Sequence, residues 1–497
     1  MNDDVGTIDW TARAAALALP PGQFIGGTFE PGEASRAFVT PRDGSVLGDV
    51  SWAGVKEADA AVTAARRAFD DGPWPRLHPR ERGRILQAFA ALVQEHRDEL
   101  ALLVSLEMGK PIRVSYEIEL RALITTLRYY GELADKDFGE IPPTDADALA
   151  LVTREPAGVV AAVVPWNFPL TIGGWKFAPA LAAGCTVVLK TAEQSPLSML
   201  RVAALGVEAG LPPGVFNVLT GDGITVGRHL GEHDDVDILT FTGSTAVGRH
   251  FLRYSADSNL KRVYLELGGK SPNIIFSDAP DLAQAADMAA WAIFFNSGEM
   301  CTAGSRLVVQ RQVADEVVER VAAAASTWVV GDPLDPATQM GPLVDERSMK
   351  RVLAQLEEGA AAGATIRAGG ARLRPEADGP YLAPTVVTDL AHDNVLVRDE
   401  LFAPVLSVLV VDDEEEALRV AGDTPYGLAA GVWTNDLGRA HRVAKRLKAG
   451  TVWVNCYEEG DLSVPFGGVK LSGSARDKSR HALAQYSDLK TTWIVHG

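Results

Sequence analysis

The chain is 497 residues long, 47% hydrophobic and 23% charged, with a formal net charge of −18 at pH 7. That length is too great for one simple core and predicts two or three packed units of an ordinary soluble protein. The acidity argues against nucleic acid or an anionic membrane as partner, because their phosphates would be repelled. No apolar run reaches the roughly 18 residues of a membrane helix. The acidic residues 1–9 lack the basic and apolar regions of a secretory signal. Cys185, Cys301 and Cys456 are an odd count, which suits a reducing, cytoplasmic location better than a disulfide framework.

In chain order, a helix is expected around residues 114–123. Residues 137–148 are acidic and contain proline, and 150–154 read as extended. A valine-rich run at 159–164 is followed by helix 172–183, strand 186–190, helix 196–209, strand 215–219, a glycine-rich turn with a helix, and strand 237–241. Short apolar strands separated by helices predict a parallel sheet covered on both faces. Residues 262–267 alternate instead, with Val263, Leu265 and Leu267 on one face and Arg262, Tyr264 and Glu266 on the other. A second series begins at 272–276. Its helix, 282–295, is apolar almost all round and so expected to be buried, and strands recur at 306–310, 405–411, 431–434 and 451–454. The acid run 412–416 reads as the solvated first turn of a helix. The fold class is α/β: a Rossmann-type parallel-sheet cofactor domain (1–131 and 155–265), an α/β catalytic domain (266–476) and a small β arm for oligomerisation (132–154 and 477–497).

The chemistry centres on Cys301, set among small polar residues after the apolar helix, and on Glu266, which ends the alternating strand beside Gly268-Gly269. A thiol able to attack and a carboxylate able to take a proton point to an enzyme. The glycine-rich stretch 221–227 misses the dinucleotide fingerprint spacing by one residue. Lys190 and Glu193 are the better nucleotide signal: they follow the second parallel strand, where an acid can hydrogen-bond ribose hydroxyls. His229 and His233 have metal-pair spacing, but the sequence offers no third ligand, so no metal is expected. No serine nucleophile elbow is present. Cys185 and Cys456 read as packing.

From roughly residue 23 to the C-terminus the chain resembles the aldehyde dehydrogenase superfamily. The motifs are Pro165-Trp166-Asn167-Phe168-Pro169, Lys190-Thr191-Ala192-Glu193-Gln194-Ser195-Pro196, Phe241-Thr242-Gly243-Ser244-Thr245, Glu266-Leu267-Gly268-Gly269-Lys270, the Cys301 segment, Glu400-Leu401-Phe402-Ala403-Pro404 and Pro465-Phe466-Gly467-Gly468. The resemblance implies NAD-dependent oxidation of an aldehyde to an acid. Cys301 would be the nucleophile. Asn167 and the Cys301 N–H would stabilise the oxyanion, typically worth about 3–4 kcal/mol per donor. Glu266 would be the base that admits water, with burial raising its pKa.

The resemblance also places Lys190 and Glu193 on the adenosine ribose. Glu193 would repel a 2′-phosphate, favouring NAD over NADP. Gly223, Gly243, Ser244, Thr245 and Gly248 would serve the pyrophosphate at a helix N-terminus. Trp166 and Leu267 would border the cofactor cleft, and Glu400 and Phe402 the nicotinamide ribose. Two departures from the family pattern stand out: Glu299 where Gln is common, and Ala403 where Gly is.

The subgroup most resembled oxidises ω-amino or guanidino aldehydes, such as γ-glutamyl-γ-aminobutyraldehyde, 4-aminobutyraldehyde and 4-guanidinobutyraldehyde, in polyamine and arginine breakdown. Loop 455–464 would line the substrate mouth, and its Glu458, Glu459 and Asp461 would attract a cationic end. Phe168, Trp175, Tyr457 and Phe466 would offer cation–π faces, and Glu117 and Glu119 would point into the same funnel. The extended pieces 150–154 and 489–495 are expected to pair across a two-fold axis, giving a homodimer or homotetramer. Other readings are a broad aliphatic or betaine-type aldehyde dehydrogenase, a cysteine-dependent (thio)esterase without hydride transfer, and a nucleotide-binding protein without catalysis.

Overall fold

The strands Val159–Val163 and Thr186–Lys190 are buried at every position, so both need cover on two faces. The computed structural model, which describes residues 5–374 and 379–496, supplies it. Residues 1–4 and 497 of the expected domain ranges lie outside the described residues. The first sheet runs Arg262–Glu266, Ile238–Thr242, Val159–Val163, Thr186–Lys190, Phe216–Leu219, Gln23–Ile25, Thr28–Glu30. Its first five strands are parallel and the last two antiparallel. From Val159–Val163 the chain first adds strands to one side and then returns to add Ile238–Thr242 to the other. That reversal opens a crevice beyond the strands' carboxyl ends.

The second sheet runs Thr365–Ala368, Thr385–Thr388, Val405–Val411, Arg306–Gln310, Pro272–Ile275, Ala429–Trp433, Thr451–Val454, parallel except for its first pair. Cys301 lies in the crossover between Pro272–Ile275 and Arg306–Gln310, after the apolar helix Leu282–Phe294. Residues 267–271 carry the chain from the first sheet to the second. Residues 466–479 return to that link: the Leu267 N–H donates to the Ser472 carbonyl (3.0 Å), and the Ser474 and Ala475 N–H groups donate to Leu265 (3.0 and 3.1 Å).

Two local readings change. The helix expected from 172 begins at Pro169, because proline suits a first helical turn and Glu119 receives its first amide hydrogens. The acid run does open a helix, Glu414–Gly422, but its glutamates pair with Arg439, Arg442 and Arg446 rather than facing water alone. The extended pieces Ala148–Pro156 and Ser487–Val495 pair with each other as an antiparallel two-stranded ribbon, from Ser487↔Pro156 to Val495↔Ala148. No described helix is long and apolar enough to cross a membrane.

Arg306 fixes the link between the sheets. It is fully buried, and its guanidinium donates to the carbonyls of Lys270 (2.9 Å), Val420 (3.0 Å) and Ala421 (2.8 Å). The last two close the helix Glu414–Gly422, where a cation meets the negative dipole end. Arg306→Leu removes three buried hydrogen bonds, so chemical denaturation should show a loss on the order of 3 kcal/mol.

Candidate active site

Cys301 is half-buried and is presented by an unusual turn. Asn296, Ser297 and Gly298 have φ of 51°, 57° and 68°, three left-handed residues in succession. Non-glycine residues there cost about 1 kcal/mol or more each, so the surroundings must hold them. They do: Asn296 Nδ2 donates to the Glu299 carbonyl (3.1 Å), and Ser297 Oγ donates to the carbonyls of Gly341 (3.1 Å) and Pro342 (3.2 Å). A Cβ on Gly298 would stand 2.2 Å from the Ala403 carbonyl oxygen, so glycine is required sterically as well. Burial pushes the Cys301 thiol up, helped by Glu458, Glu400 and Glu266.

Asn167 is tied to the same turn, its side-chain amide donating to the Glu299 carbonyl (3.0 Å). Its own carbonyl accepts from the buried Lys110 ammonium (2.9 Å), which also pairs with Glu119. Glu119 is fully buried and accepts from the amides of Leu170 (2.9 Å) and Thr171 (3.0 Å). It therefore anchors the helix behind Asn167 and does not face the substrate funnel, contrary to the sequence reading. Glu117 is likewise turned to the surface, paired with Arg113.

Glu266 is buried, and neither carboxylate oxygen has a hydrogen-bond partner among the described residues. Burial, reinforced by Asp477, raises its carboxyl well above the ordinary range, while Lys176 and Arg476 oppose the shift. A Cβ on Gly467 would lie 2.5 Å from Glu266 Oε1, so the Phe466-Gly467 motif keeps the carboxylate's berth open. Lys176 and Asp477 form a fully buried pair (2.7 and 2.9 Å). The sequence reading missed both, although a lysine in the otherwise apolar helix Pro169–Ala183 is a visible anomaly.

The crevice of the first sheet carries the expected cofactor residues. Glu193 Oε1 accepts from the Gly223 N–H (2.6 Å) and pairs with the buried Lys190 (3.2 Å). Ser244 caps the helix Thr245–Ala256, accepting from the Val247 amide (3.4 Å), and Thr245 Oγ1 donates to the Leu471 carbonyl (3.1 Å). Side-chain carbons of Leu267 lie where a Cβ on Gly248 would be, at 2.8 Å, so that glycine brings helix and sheet together. Gly243 leaves room for the Phe241 ring. Thr242 Oγ1, at the carboxyl end of its strand, is buried without a partner among the described residues, while Ile224, Val247 and Leu252, in the helical segments on either side of that strand, are exposed apolar residues. An orphan hydroxyl, a helix N-terminus, a ribose-type acid and an uncovered apolar strip fit a dinucleotide. Across the crevice Glu400 Oε1 accepts from the Gly269 N–H (2.8 Å), and burial pushes its carboxyl up to about 7. Phe402 (φ 55°) packs edge-on to Trp166 at 5.5 Å.

The mouth differs from expectation. Tyr457 is buried, with its hydroxyl donating to the Thr302 carbonyl (2.8 Å). It steadies the residue after the thiol rather than lining the entrance. The aromatic faces already carry the protein's own cations: Lys110 lies 3.7 Å over Phe168, and Lys478 lies 5.6 and 5.9 Å over Trp175 and Phe466. Glu459 is exposed, and its carbonyl accepts from Trp453. Asp461 is exposed and accepts from the Ser463 amide (2.8 Å). Glu458 is the acid turned inward: burial pushes it up to about 7, and its Oε1 is buried and unpartnered.

The departures and the histidine pair also resolve. Glu299 is fully buried, its Oε1 accepting from the Val344 amide (2.9 Å) and its Oε2 unpartnered, and burial raises its carboxyl well above the usual range. Ala403 is buried in the apolar cluster of Leu343, Leu401 and Val405. His229 and His233 do meet a third ligand-type group, Asp59, at 2.6 and 3.3 Å from their Nε2 atoms. The Asp235 amide donates to His233 Nδ1 (3.1 Å), which leaves the proton on Nε2 facing Asp59 and makes the trio a hydrogen-bonded cluster. The sequence missed Asp59 because it comes from a distant helix.

A buried carboxyl with a raised pKa holds protons the unfolded chain has released, so its stabilisation fades as pH rises from about 4.5 toward the native value. Glu299→Gln removes that charge. Its melting temperature should exceed the parent's at about pH 8, with the gap narrowing toward about pH 5; a pH-independent difference would contradict the account.

The chain matches the aldehyde dehydrogenase family over residues 29–492. It is 45% identical over 487 residues to the NADP/NAD-dependent aldehyde dehydrogenase PuuC of Escherichia coli (strain K12), covering 98% of each chain. It superposes on the γ-glutamyl-γ-aminobutyraldehyde dehydrogenase of Burkholderia cenocepacia J2315 with a TM-score of 0.96 at 51% identity, covering 98% of this chain and 99% of that one. The P. syringae indole-3-acetaldehyde dehydrogenase AldA, solved with NAD+ and IAA, gives a TM-score of 0.97 at 48% identity over 98% and 99% of the two chains. With thiol, amide and buried carboxylate grouped around one crevice, the chain belongs to the aldehyde dehydrogenase family.

Proposed function

We propose that this chain oxidises an aminoaldehyde to the carboxylic acid with NAD. The observation that carries the reading is Glu266: a buried carboxylate with two unpartnered oxygens whose charge bears on Cys301. The thiol is protonated at rest, because burial and three acids raise its pKa. Its proton must leave as sulfur attacks the aldehyde carbon, and Glu266, made more basic by burial, is placed to take it. Asn167 and the Cys301 N–H hold the negative oxygen of the thiohemiacetal. When bound, NAD supplies the acceptor for the hydride that leaves this carbon, giving a thioester on Cys301. Once Glu266 has passed the thiol's proton on to solvent, it draws a proton from the water that hydrolyses the thioester, with the Lys176–Asp477 pair tuning its basicity.

Lys190, Glu193, Gly223, Ser244 and Thr245 would hold the adenosine and pyrophosphate. Trp166, Leu267, Glu400 and Phe402 would flank the nicotinamide end. The first sheet with residues 1–131 and 155–265 serves as the cofactor domain, and 266–476 as the catalytic domain. The acidic Glu193 supports NAD over NADP. The kinship with the γ-glutamyl-γ-aminobutyraldehyde dehydrogenase supports an aminoaldehyde from polyamine breakdown. Glu458, turned inward beside Cys301, supports an ammonium on the substrate. The ribbon's exposed Leu489, Trp493 and Val495 support assembly into a homodimer or homotetramer. A cytoplasmic location agrees with three free cysteines.

The wild type should reduce NAD with aminoaldehydes, and Cys301→Ala should lose at least about 10³-fold in kcat. Glu266→Gln removes the base used in both proton transfers, so kcat should fall about 10²–10⁴-fold with no burst of NADH ahead of the slow turnover. Turnover of esters or aldehydes without NAD would overturn the reading. In an aldehyde panel, γ-glutamyl-γ-aminobutyraldehyde should show kcat/KM at least about tenfold above butanal or indole-3-acetaldehyde, a difference of about 1.4 kcal/mol; a preference for the neutral aldehydes would remove the substrate assignment while leaving the chemistry.

A further inference from the structure

The mouth of the crevice holds three polar groups without hydrogen-bond partners. Two are donors: the Lys478 ammonium makes no hydrogen bond or ion pair among the described residues and rests only over the Trp175 and Phe466 rings, and Trp175 Nε1 is buried and unpartnered. The third is an acceptor, the buried Glu458 Oε1. Glu458 is linked electrostatically to both ends of the passage, to Cys301 inside and to Lys478 outside.

Lys478 is held there at a cost. It and Ser479 have φ of 62° and 51°, left-handed values that non-glycine residues adopt only when constrained. The constraint is a short backbone pairing: Asp477 and Phe466 exchange N–H···O bonds of 2.7 Å each, and the Ser479 N–H donates to the Leu462 carbonyl (2.7 Å). These bonds set the loop carrying Lys478 directly against the loop carrying Glu458. Gly460 lies beside the ammonium, where a Cβ would stand 3.8 Å from Lys478 Nζ. Burial lowers the Lys478 pKa, while Glu458, Asp461 and Asp477 hold it up. A simple ω-amino aldehyde would bring a second ammonium to a place where one already stands.

We propose that Lys478 and Glu458 form a subsite for aldehydes whose far end is an α-amino acid head, with Lys478 and Trp175 Nε1 donating to its carboxylate and Glu458 accepting from its ammonium. The subsite rests on the aminoaldehyde oxidation proposed above and narrows its substrate to a zwitterion. Two donors and one acceptor, all unpaired and adjacent, match that head group and no singly charged one. The protein's own lysine over the aromatic faces is thereby a recognition group, not a rival to the substrate.

The test compares synthetic γ-glutamyl-γ-aminobutyraldehyde, its α-methyl ester, 4-aminobutyraldehyde and butanal, following NADH. Wild type should favour the free acid over the ester by at least about tenfold in kcat/KM, expressed in KM. Lys478→Met should cut the ratio of the acid's kcat/KM to that of butanal at least about tenfold, and Lys478→Arg should restore most of it. If the wild type treats acid and ester alike, the subsite is overturned, and this arm needs no variant to fold. Equal losses on every substrate in Lys478→Met, with Arg giving no rescue, would also overturn it. Oxidation of butanal alone, with both aminoaldehydes refused, would instead sink the parent reading.

Discussion

The structure depends on a place where three chain segments come closer than side chains allow. Residues 268 and 269 carry the backbone from one sheet to the other. A Cβ on Gly268 would fall 2.0 Å from Glu400 Oε2, and one on Gly269 would fall 2.4 Å from the Cys301 carbonyl oxygen. Two consecutive glycines thus let Glu400 and the thiol's turn press on the same stretch of main chain. The Gly269 N–H uses that proximity to hold Glu400. Arg306 pins the Lys270 carbonyl one residue further on. Glu266, two residues upstream of Gly268, is carried into the site by the same link.

Around this crossing the protein buries acids instead of exposing them. Glu266, Glu299, Glu400 and Glu458 all have carboxyls raised by burial. Desolvating a carboxylate costs several kcal/mol, which exceeds what the nearest cations return at these positions. The consequence is a site of nearly neutral carboxyls poised to exchange protons, beside a thiol kept protonated until it reacts. Glu119 and Glu107 put a buried acid to structural use. Each accepts the first amides of a helix, Glu119 at Leu170 and Thr171, and Glu107 at Leu197 and Ser198.

Much of this was readable from the residues. The valine-rich strands announced a doubly covered parallel sheet, and the quoted motifs pointed to the groups that line the crevice. What the sequence hid was direction. Glu119 and Tyr457 stand at the right positions but turn inward to serve the backbone, because a helix N-terminus and a carbonyl needed partners there. Lys478 drew no attention as one lysine among charged neighbours, since only the fold sets it over Trp175 and Phe466. Asp59 is 170 residues from His229, and no spacing rule links them. The pairing of the two extended pieces was foreseen, but strand patterns do not say whether a partner belongs to the same molecule.

The last residues of the chain complete a core begun near its start. Ala482, Leu483 and Tyr486 pack among Leu86, Phe177 and Leu181, and the Tyr486 carbonyl accepts from Cys185 Sγ (3.2 Å) and the Ala157 N–H (3.1 Å). Asp477 supplies the only counter-charge that the buried Lys176 pairs with among the described residues. A ribosome adding about 5–20 residues per second would therefore expose an unfilled groove and an unpaired lysine for much of translation. The amino-terminal unit therefore reaches its native packing only once residues 477–486 have been made and have docked.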